Sequence, residues 1–358
     1  MYKKTILLLT LFGALVVNAQ NKNLVIEYTG KQALKKSILS IPEKHRGIWD
    51  YNDSVVAYQS PFRESSVTLA PKQTITYKGK QFDVETLMGT LIAPKAGTLV
   101  KYGSGDPLYR AGRHKFKVIY YDLDKGTQLF ELPHKYRGAG CSISENGLLA
   151  MSGRLVGYEP MTIEGSHVSL YDKNGKEIFT KPMGSDNWVR DIQISSKGNY
   201  IALVYTTLRA HPPKERFNLM ILRNDGTVIF DKRYYNTYFH HLIFSPEEDY
   251  FLGIEHDYVC LFDLKKQKLL WEKNKSYRTI KSPVIFFKKQ DCIVLQTHLK
   301  GIFTLHLLNI GGGEEVFNTE LTEKQTISYN KTLFKKNDSE FFINSSGGTY
   351  NFKIKTKE

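Results

Sequence analysis

Six segments that end in an aromatic residue recur along this 358-residue chain at nearly even spacing. TITYKGKQF closes at Phe82, VIYYDLDKGTQLF at Phe130 and VSLYDKNGKEIF at Phe179. MILRNDGTVIF follows at Phe230, VCLFDLKKQKLLW at Trp271 and LHLLNIGGGEEVF at Phe317. The aromatics lie 48, 49, 51, 41 and 46 residues apart. Each segment alternates apolar and polar residues on either side of a polar turn, the pattern of a half-buried β-hairpin. A period of about 40 to 50 residues built from strands and turns selects a β-propeller over the helical solenoids. Asn174-Gly175 and Asp225-Gly226 are expected to form two-residue turns, because these residue types accept the positive φ that such turns require.

A second marker precedes each hairpin, a polar turn followed by an apolar strand. It reads DYNDSVVAY, APKAGTLVKY, SENGLLAMS, SSKGNYIALVY, SPEEDYFLGIE, KKQDCIVLQT and KKNDSEFFINS, seven copies against six hairpins. The last copy is followed only by TYNFKIKTKE, so one strand of its sheet is missing. NLVIEY, with Leu24 to Tyr28, is the available donor. An open ring would expose two apolar faces, and a sheet shared by both chain ends removes them. The expected architecture is therefore all-β: one seven-bladed propeller over residues 20–358, its last blade closed by the N-terminal strand.

The phrases IFSPEEDYFLG, IQISSKGNYIAL and CSISENGLLAM resemble the inner-strand turns of the WD40-like and TolB-like β-propeller families. There a Ser-Pro-Asp-Gly type of turn precedes an apolar strand. The resemblance extends over nearly the whole chain after the first twenty residues. It implies a fold and leaves activity open, since propellers serve as hydrolases, lyases and scaffolds alike.

The first twenty residues, MYKKTILLLTLFGALVVNAQ, place Lys3 and Lys4 before a charge-free apolar run that ends at Val17-Asn18-Ala19. Such a run is too short to span a bilayer and has the layout of a secretory signal, so residues 1–19 are expected to be removed. No cysteine follows it to carry a lipid, and no later run is long enough to cross a membrane. The expected location is the periplasm or the exterior. Three cysteines, Cys141, Cys260 and Cys292, make no paired framework and are expected to be buried small hydrophobes. The formal net charge is +14, which favours anionic partners. Export argues against nucleic acid, leaving acidic glycans, membrane phosphates or acidic proteins.

In a propeller the links from one blade's outer strand to the next blade's inner strand ring the central channel on one face. Here they read LPHKYRGAG, KPMGSDNWVRD, DKRYYNTYFHH and EKNKSYRTIKS. The candidate ligand-binding residues are Arg137, Trp188, Arg190, Asp191, Arg233, Tyr234, Tyr238, His240, His241, Arg278 and Lys281, with Lys232 and Tyr277 beside them. Guanidinium forks pair carboxylates and phosphates, and aromatic rings stack on flat ligand faces. Two long loops, TTLRAHPPKERF and SGRLVGYEPMTIEGS, fall between second and third strands and add binding candidates. His240-His241 lacks zinc-ligand spacing, and neither a metal nor another cofactor is expected. The sialidase Asp-box and the GxSxG elbow are missing. Asp186, Asp191 and Glu255 are the carboxylates available for an acid/base pair. The expected function is that of an exported non-catalytic binding or scaffold propeller, recognising an anionic glycan or a protein partner at the channel mouth. The alternative is a metal-dependent lyase or hydrolase acting on an acidic polysaccharide, similar to the oligogalacturonate lyases.

Overall fold

The second strands carry continuous apolar runs, such as Ile201–Tyr205 and Cys292–Leu295, because both their faces are covered. The computed structural model describes residues 24–32, 46–51, 54–59, 62–63, 66–69, 72–85, 87, 89–103, 116–132, 136–137, 140–156, 163–184, 186–207, 216–235, 237–255, 258–274, 284–299, 302–321, 332–345 and 348–356. Among them stand seven antiparallel sheets, the blades, and one small hairpin, Phe62–Arg63 with Ser66–Leu69. From the channel outwards, blade 1 runs Arg46–Tyr51, Ser54–Gln59, Lys72–Tyr77 and Lys80–Glu85. Blade 2 runs Gly89–Ala93, Thr98–Gly103, Lys117–Asp122 and Thr127–Glu131. In blade 3 the first strand is split into Tyr136–Arg137 and Cys141–Ile143, followed by Leu149–Val156, Ile163–Tyr171 and Glu177–Gly184. Blade 4 is Asn187–Ile194, Tyr200–Thr207, Arg216–Arg223 and Val228–Tyr235. Blade 5 is His241–Phe244, Tyr250–Glu255, Tyr258–Asp263 and Lys268–Asn274. Blade 6 is Ile285–Phe287, Cys292–Leu299, Ile302–Asn309 and Glu315–Leu321. Blade 7 is Thr332–Lys335, Glu340–Ser345 and Gly348–Thr356, with Leu24–Gln32 as its outer strand.

That last pairing is the closure expected from the sequence. Leu24 faces Thr356, Ile26 faces Ile354 and Tyr28 faces Phe352 in an antiparallel ladder. Leu24 and Ile26 are buried with Phe341, Phe352 and Ile354 in the layer between blades 6 and 7. Six such layers are present, one between each pair of consecutive blades from 1 to 7. The seventh, between blades 7 and 1, falls outside the described side chains. Successive residues of a second strand enter alternate layers: Cys292 and Val294 face blade 7, Ile293 and Leu295 face blade 5. A period of two with both faces buried produces the continuous apolar run. Cys260 and Cys292 are buried in these layers and Cys141 is partly so, all three unbridged. Burial pushes the Cys260 thiol up to about 12, which keeps it protonated and inert.

The recurring aromatic has a specific seat. In blades 2 to 6 the outer strand carries a β-bulge one residue before it, at Leu129, Ile178, Ile229, Leu270 and Val316. A bulge bends the strand and re-aims the next side chain, and in blades 2, 3 and 5 that side chain leans onto the outer turn of the following blade, as Phe82 of the unbulged blade 1 does at Gly126 (2.4 Å). Phe130 comes within 2.5 Å of where a Cβ on Gly175 would stand, and Trp271 within 2.6 Å of the same point on Gly313. Phe179 approaches Gly226 more loosely, at 3.2 Å. In blade 5 Gln267 replaces the glycine at φ 51°, and Phe230 packs on the Phe262 ring at 4.9 Å instead.

The outer turns correct one expectation. Asn174 and Asp225 do not take positive φ; only Gly175 (79°) and Gly226 (85°) do. Each loop has three residues, closed by Gly175 N–H donating to Asp172 O (3.0 Å) and Asp172 N–H donating to Lys176 O (2.9 Å), with the matching pair at Arg223. Asp172 Oδ1 also accepts from the N–H groups of Asn174 and Lys176, which holds the first two loop residues in ordinary right-handed geometry. A true two-residue turn occurs at Lys78-Gly79 of blade 1, whose outer pairing has no bulge.

The inner turns, the second sequence marker, link blade to blade on the face opposite the mouth. Lys95 of blade 2 pairs with Glu145 of blade 3, whose N–H donates to Ser196 O of blade 4 (2.7 Å). Lys197 N–H and Asn199 Nδ2 donate to the two oxygens of Glu248 in blade 5 (2.7 and 2.6 Å). Glu248 sits at φ 61°, where blades 3 and 4 use Gly147 and Gly198, and is held there by those two bonds. Asp249 is clasped by Lys265 and Lys288, and Lys289 reaches Asp338 of blade 7.

Candidate functional site

The channel mouth lies where the first strands begin, and two of these strands are irregular. In blade 4 the pairing slips between Val189 and Asp191, so Arg190 is an extra residue outside the ladder. In blade 3 the strand is split, with four positions from Arg137 to Cys141 set against three from Arg154 to Met151, while the other described first strands pair without a shift. The bulge turns Arg190 out into solvent, where its guanidinium lies 3.6 Å over the Trp188 ring. Stacking fixes the plane of the fork and leaves its edge donors to a ligand. No carboxylate among the described residues pairs with it.

Blade 5 completes this wall. Tyr238 and His240 meet edge to face at 4.5 Å, and Tyr238 rests on Phe217 of blade 4 at 5.2 Å. His240 is exposed ahead of the strand, and His241 is its first residue. Asp191 is half-buried; its Oδ1 accepts from Ile192 N–H at 2.8 Å. Burial raises its carboxyl above the ordinary range, opposed by that N–H and by His240. Burial and the Asp191 charge raise the Tyr238 phenol, and Arg190 opposes them.

A further member comes from blade 2. Tyr102, on a second strand, lies across Gly89, with its ring 2.1 Å from where a Cβ would stand. Its phenol is pushed up to about 12 by burial, then by Cys141 and by Asp191 two blades away. The missing side chain at Gly89 lets Tyr102 lean toward the mouth, beside the split first strand of blade 3. Nothing in the sequence marks this, since the residue is not in a connection.

Three candidates are relocated. Lys232, Arg233 and Tyr234 belong to the outer strand of blade 4, which continues to Tyr235. Tyr234 is buried between blades 4 and 5, its hydroxyl donating to Glu272 Oε1 at 2.9 Å with Lys232 on the same oxygen. Burial opposes ionisation of Glu272, but hydrogen bonds from Lys232, Tyr258 and Tyr234 outweigh it and hold the carboxyl below its usual range. Tyr234 and Lys232 thus clamp two blades, while Arg233 is exposed on the same strand. Arg137 lies in the first piece of the split strand, its side chain outside those described. Arg278, Lys281 and Tyr277 lie outside the described residues, as do the central parts of both long loops. No described group of three or more His, Cys, Asp or Glu residues is placed to hold a metal ion. No described helix is long and apolar enough to cross a membrane.

No protein-family model matches the sequence, and no curated protein is similar to it. Solved structures are more informative. A chain in the crystal structure of the mitotic checkpoint complex superposes over 93% of this chain and 94% of its own length, at 12% identity and a TM-score of 0.53. At fold level the chain resembles the WD40-like propellers. A chain of Kuenenia stuttgartiensis hydrazine synthase is also similar, at 13% identity over 70% of this chain and 79% of that one, with a TM-score of 0.46.

Proposed function

We propose that this protein is an exported, non-catalytic binding propeller whose mouth between blades 2 and 5 recognises an anionic glycan. The observation that carries the reading is the inner-strand bulge at Arg190. A bulge in an otherwise regular ladder weakens pairing, and here it presents a pre-stacked guanidinium with no carboxylate partner among the described residues. Tyr238 and His240 supply a ring and a polar edge beside it, which suits a sugar bearing an acidic group.

Arg190→Ala is expected to weaken binding of oligogalacturonate about 10- to 100-fold, the loss of one charge-assisted contact. Calorimetry with purified protein measures it. Unchanged affinity removes Arg190 from the site, capture of an acidic peptide in place of any glycan moves the reading to a protein partner, and release of unsaturated sugar makes the protein a lyase. Export is tested separately. Intact mass of protein recovered from the periplasm or medium is expected to begin at Gln20, and cytoplasmic protein retaining Met1 would oppose it.

A further inference from the structure

The chain contains two Asn-Gly dipeptides, Asn146-Gly147 and Asn174-Gly175, and the fold seats both in the same kind of backbone turn. In each, the glycine N–H donates to the carbonyl three residues back, Gly147 to Ser144 O and Gly175 to Asp172 O, both at 3.0 Å. A second bond joins the ends of each turn, Ser144 N–H to Leu148 O and Asp172 N–H to Lys176 O, both at 2.9 Å. The glycines stand at φ 86° and 79°. Ser144 Oγ and Asp172 Oδ1 fill one role, each accepting the N–H of the residue after the glycine at 2.9 Å. Both asparagines are exposed. What separates them is the hold on their side chains. The Asn146 amide is pinned at both atoms: Oδ1 accepts from Ser144 Oγ, and Nδ2 donates to Lys197 O of blade 4 at 2.9 Å. Among the described residues the Asn174 side chain has no hydrogen-bond partner; its backbone N–H alone is engaged, by Asp172 Oδ1 at 2.8 Å.

We infer that Asn174 is a spontaneous modification site, converting through a succinimide to isoaspartate and aspartate, while the side-chain bonds of Asn146 protect the chemically equivalent pair. Gly175 N attacks Asn174 Cγ and forms the N–Cγ bond; the Cγ–Nδ2 bond breaks, and ammonia leaves with the proton shed by Gly175 N. Water then opens the ring. Cleavage of the new N–Cγ bond gives aspartate, and cleavage of the original peptide bond gives isoaspartate, whose chain runs on through Cβ and Cγ. A glycine offers the nitrogen least shielded from this attack, because it has no side chain. The amide carbon must swing over that nitrogen, so the rate follows the fraction of time that turn and side chain are open. At Asn174 only the backbone turn has to open. At Asn146 two further hydrogen bonds must break, one of them between blades.

Incubation of the unaltered protein in mildly alkaline buffer, where the glycine amide loses its proton more readily, tests this. Mass spectrometry of proteolytic peptides measures amide-to-acid conversion at each asparagine, and labelling by an isoaspartyl methyltransferase separates isoaspartate from aspartate. Asn174 is expected to convert about tenfold faster than Asn146 or more, since each added hydrogen bond lowers the open fraction by a factor of a few. Isoaspartate is expected among its products. In protein unfolded by guanidinium chloride the two rates are expected to converge. Equal rates in the folded protein, or faster conversion of Asn146, overturn the inference. So does a difference of the same size after unfolding, which would trace to neighbouring sequence instead of the fold. Conversion of Asn174 to aspartate with no isoaspartate would mean direct hydrolysis and overturns it as well.

Discussion

Ile26→Asp is expected to cost the propeller about 4 kcal/mol or more of its stability. The side chain is buried in the layer between blades 6 and 7, opposite Ile354 on the neighbouring strand. Loss of its apolar burial costs about 1.5–3 kcal/mol. An unpaired carboxylate in the same place adds several kcal/mol more. Together they reach about 4 kcal/mol or above, against a typical total of about 5–15 kcal/mol for a folded domain. Urea denaturation followed by tyrosine and tryptophan fluorescence measures the shift. The neighbouring Glu27→Ala is the control, since it removes only an exposed pair with Lys355, an interaction of at most about 1 kcal/mol. Equal effects from both variants would mean that the outer strand of blade 7 contributes little to the ring.

Gly175→Ala is expected to destabilise by about 2–5 kcal/mol. Left-handed backbone costs an alanine about 1–2 kcal/mol, and overpacking adds about 1–3 kcal/mol where the new methyl meets the Phe130 ring. Gly226→Ala shares the backbone term, at φ 85°. Its methyl meets Phe179 at 3.2 Å, so little overpacking is added and about 1–2 kcal/mol is expected. The difference between the two midpoints, at equal m-values, isolates the wedge of an aromatic under the next blade's turn. If both variants lose the same amount, the wedge is incidental and only backbone geometry matters.

These two sites also show what the sequence discloses and what it conceals. The seven turns and six hairpins are legible because a two-residue alternation between covered faces leaves a regular apolar pattern, and Leu24 to Tyr28 is legible as a strand without a local partner. The bulges are concealed: Leu129-Phe130 and Ile178-Phe179 read as plain strand, and an inserted residue shows only when the two ladders are paired. The same holds for Asn174-Gly175, whose dipeptide suggests a two-residue turn until the Asp172 carboxylate is seen fixing a longer one. At the mouth, Trp188, Arg190, Tyr238 and His240 could be named from composition because connections between blades collect there. Tyr234 could not be separated from them, since the end of an outer strand and the start of a connection carry the same polar-aromatic mixture. Tyr102 depends on a glycine one strand away, a relation between two strands that no local pattern contains.

The sharing of blade 7 by both chain ends also sets an order of events during folding. Contacts within blades 2 to 6 join residues a few dozen positions apart, whereas the Leu24–Thr356 pairing spans almost the whole polypeptide. Bringing such distant residues together in an unstructured chain costs about 5 kcal/mol of loop entropy. The same step costs far less once the intervening blades have curved the ends toward each other. The Leu24–Gln32 strand is therefore among the last to dock although it precedes the other described strands in the chain, and until then the edge of Gly348–Thr356 stands open to pairing with other chains.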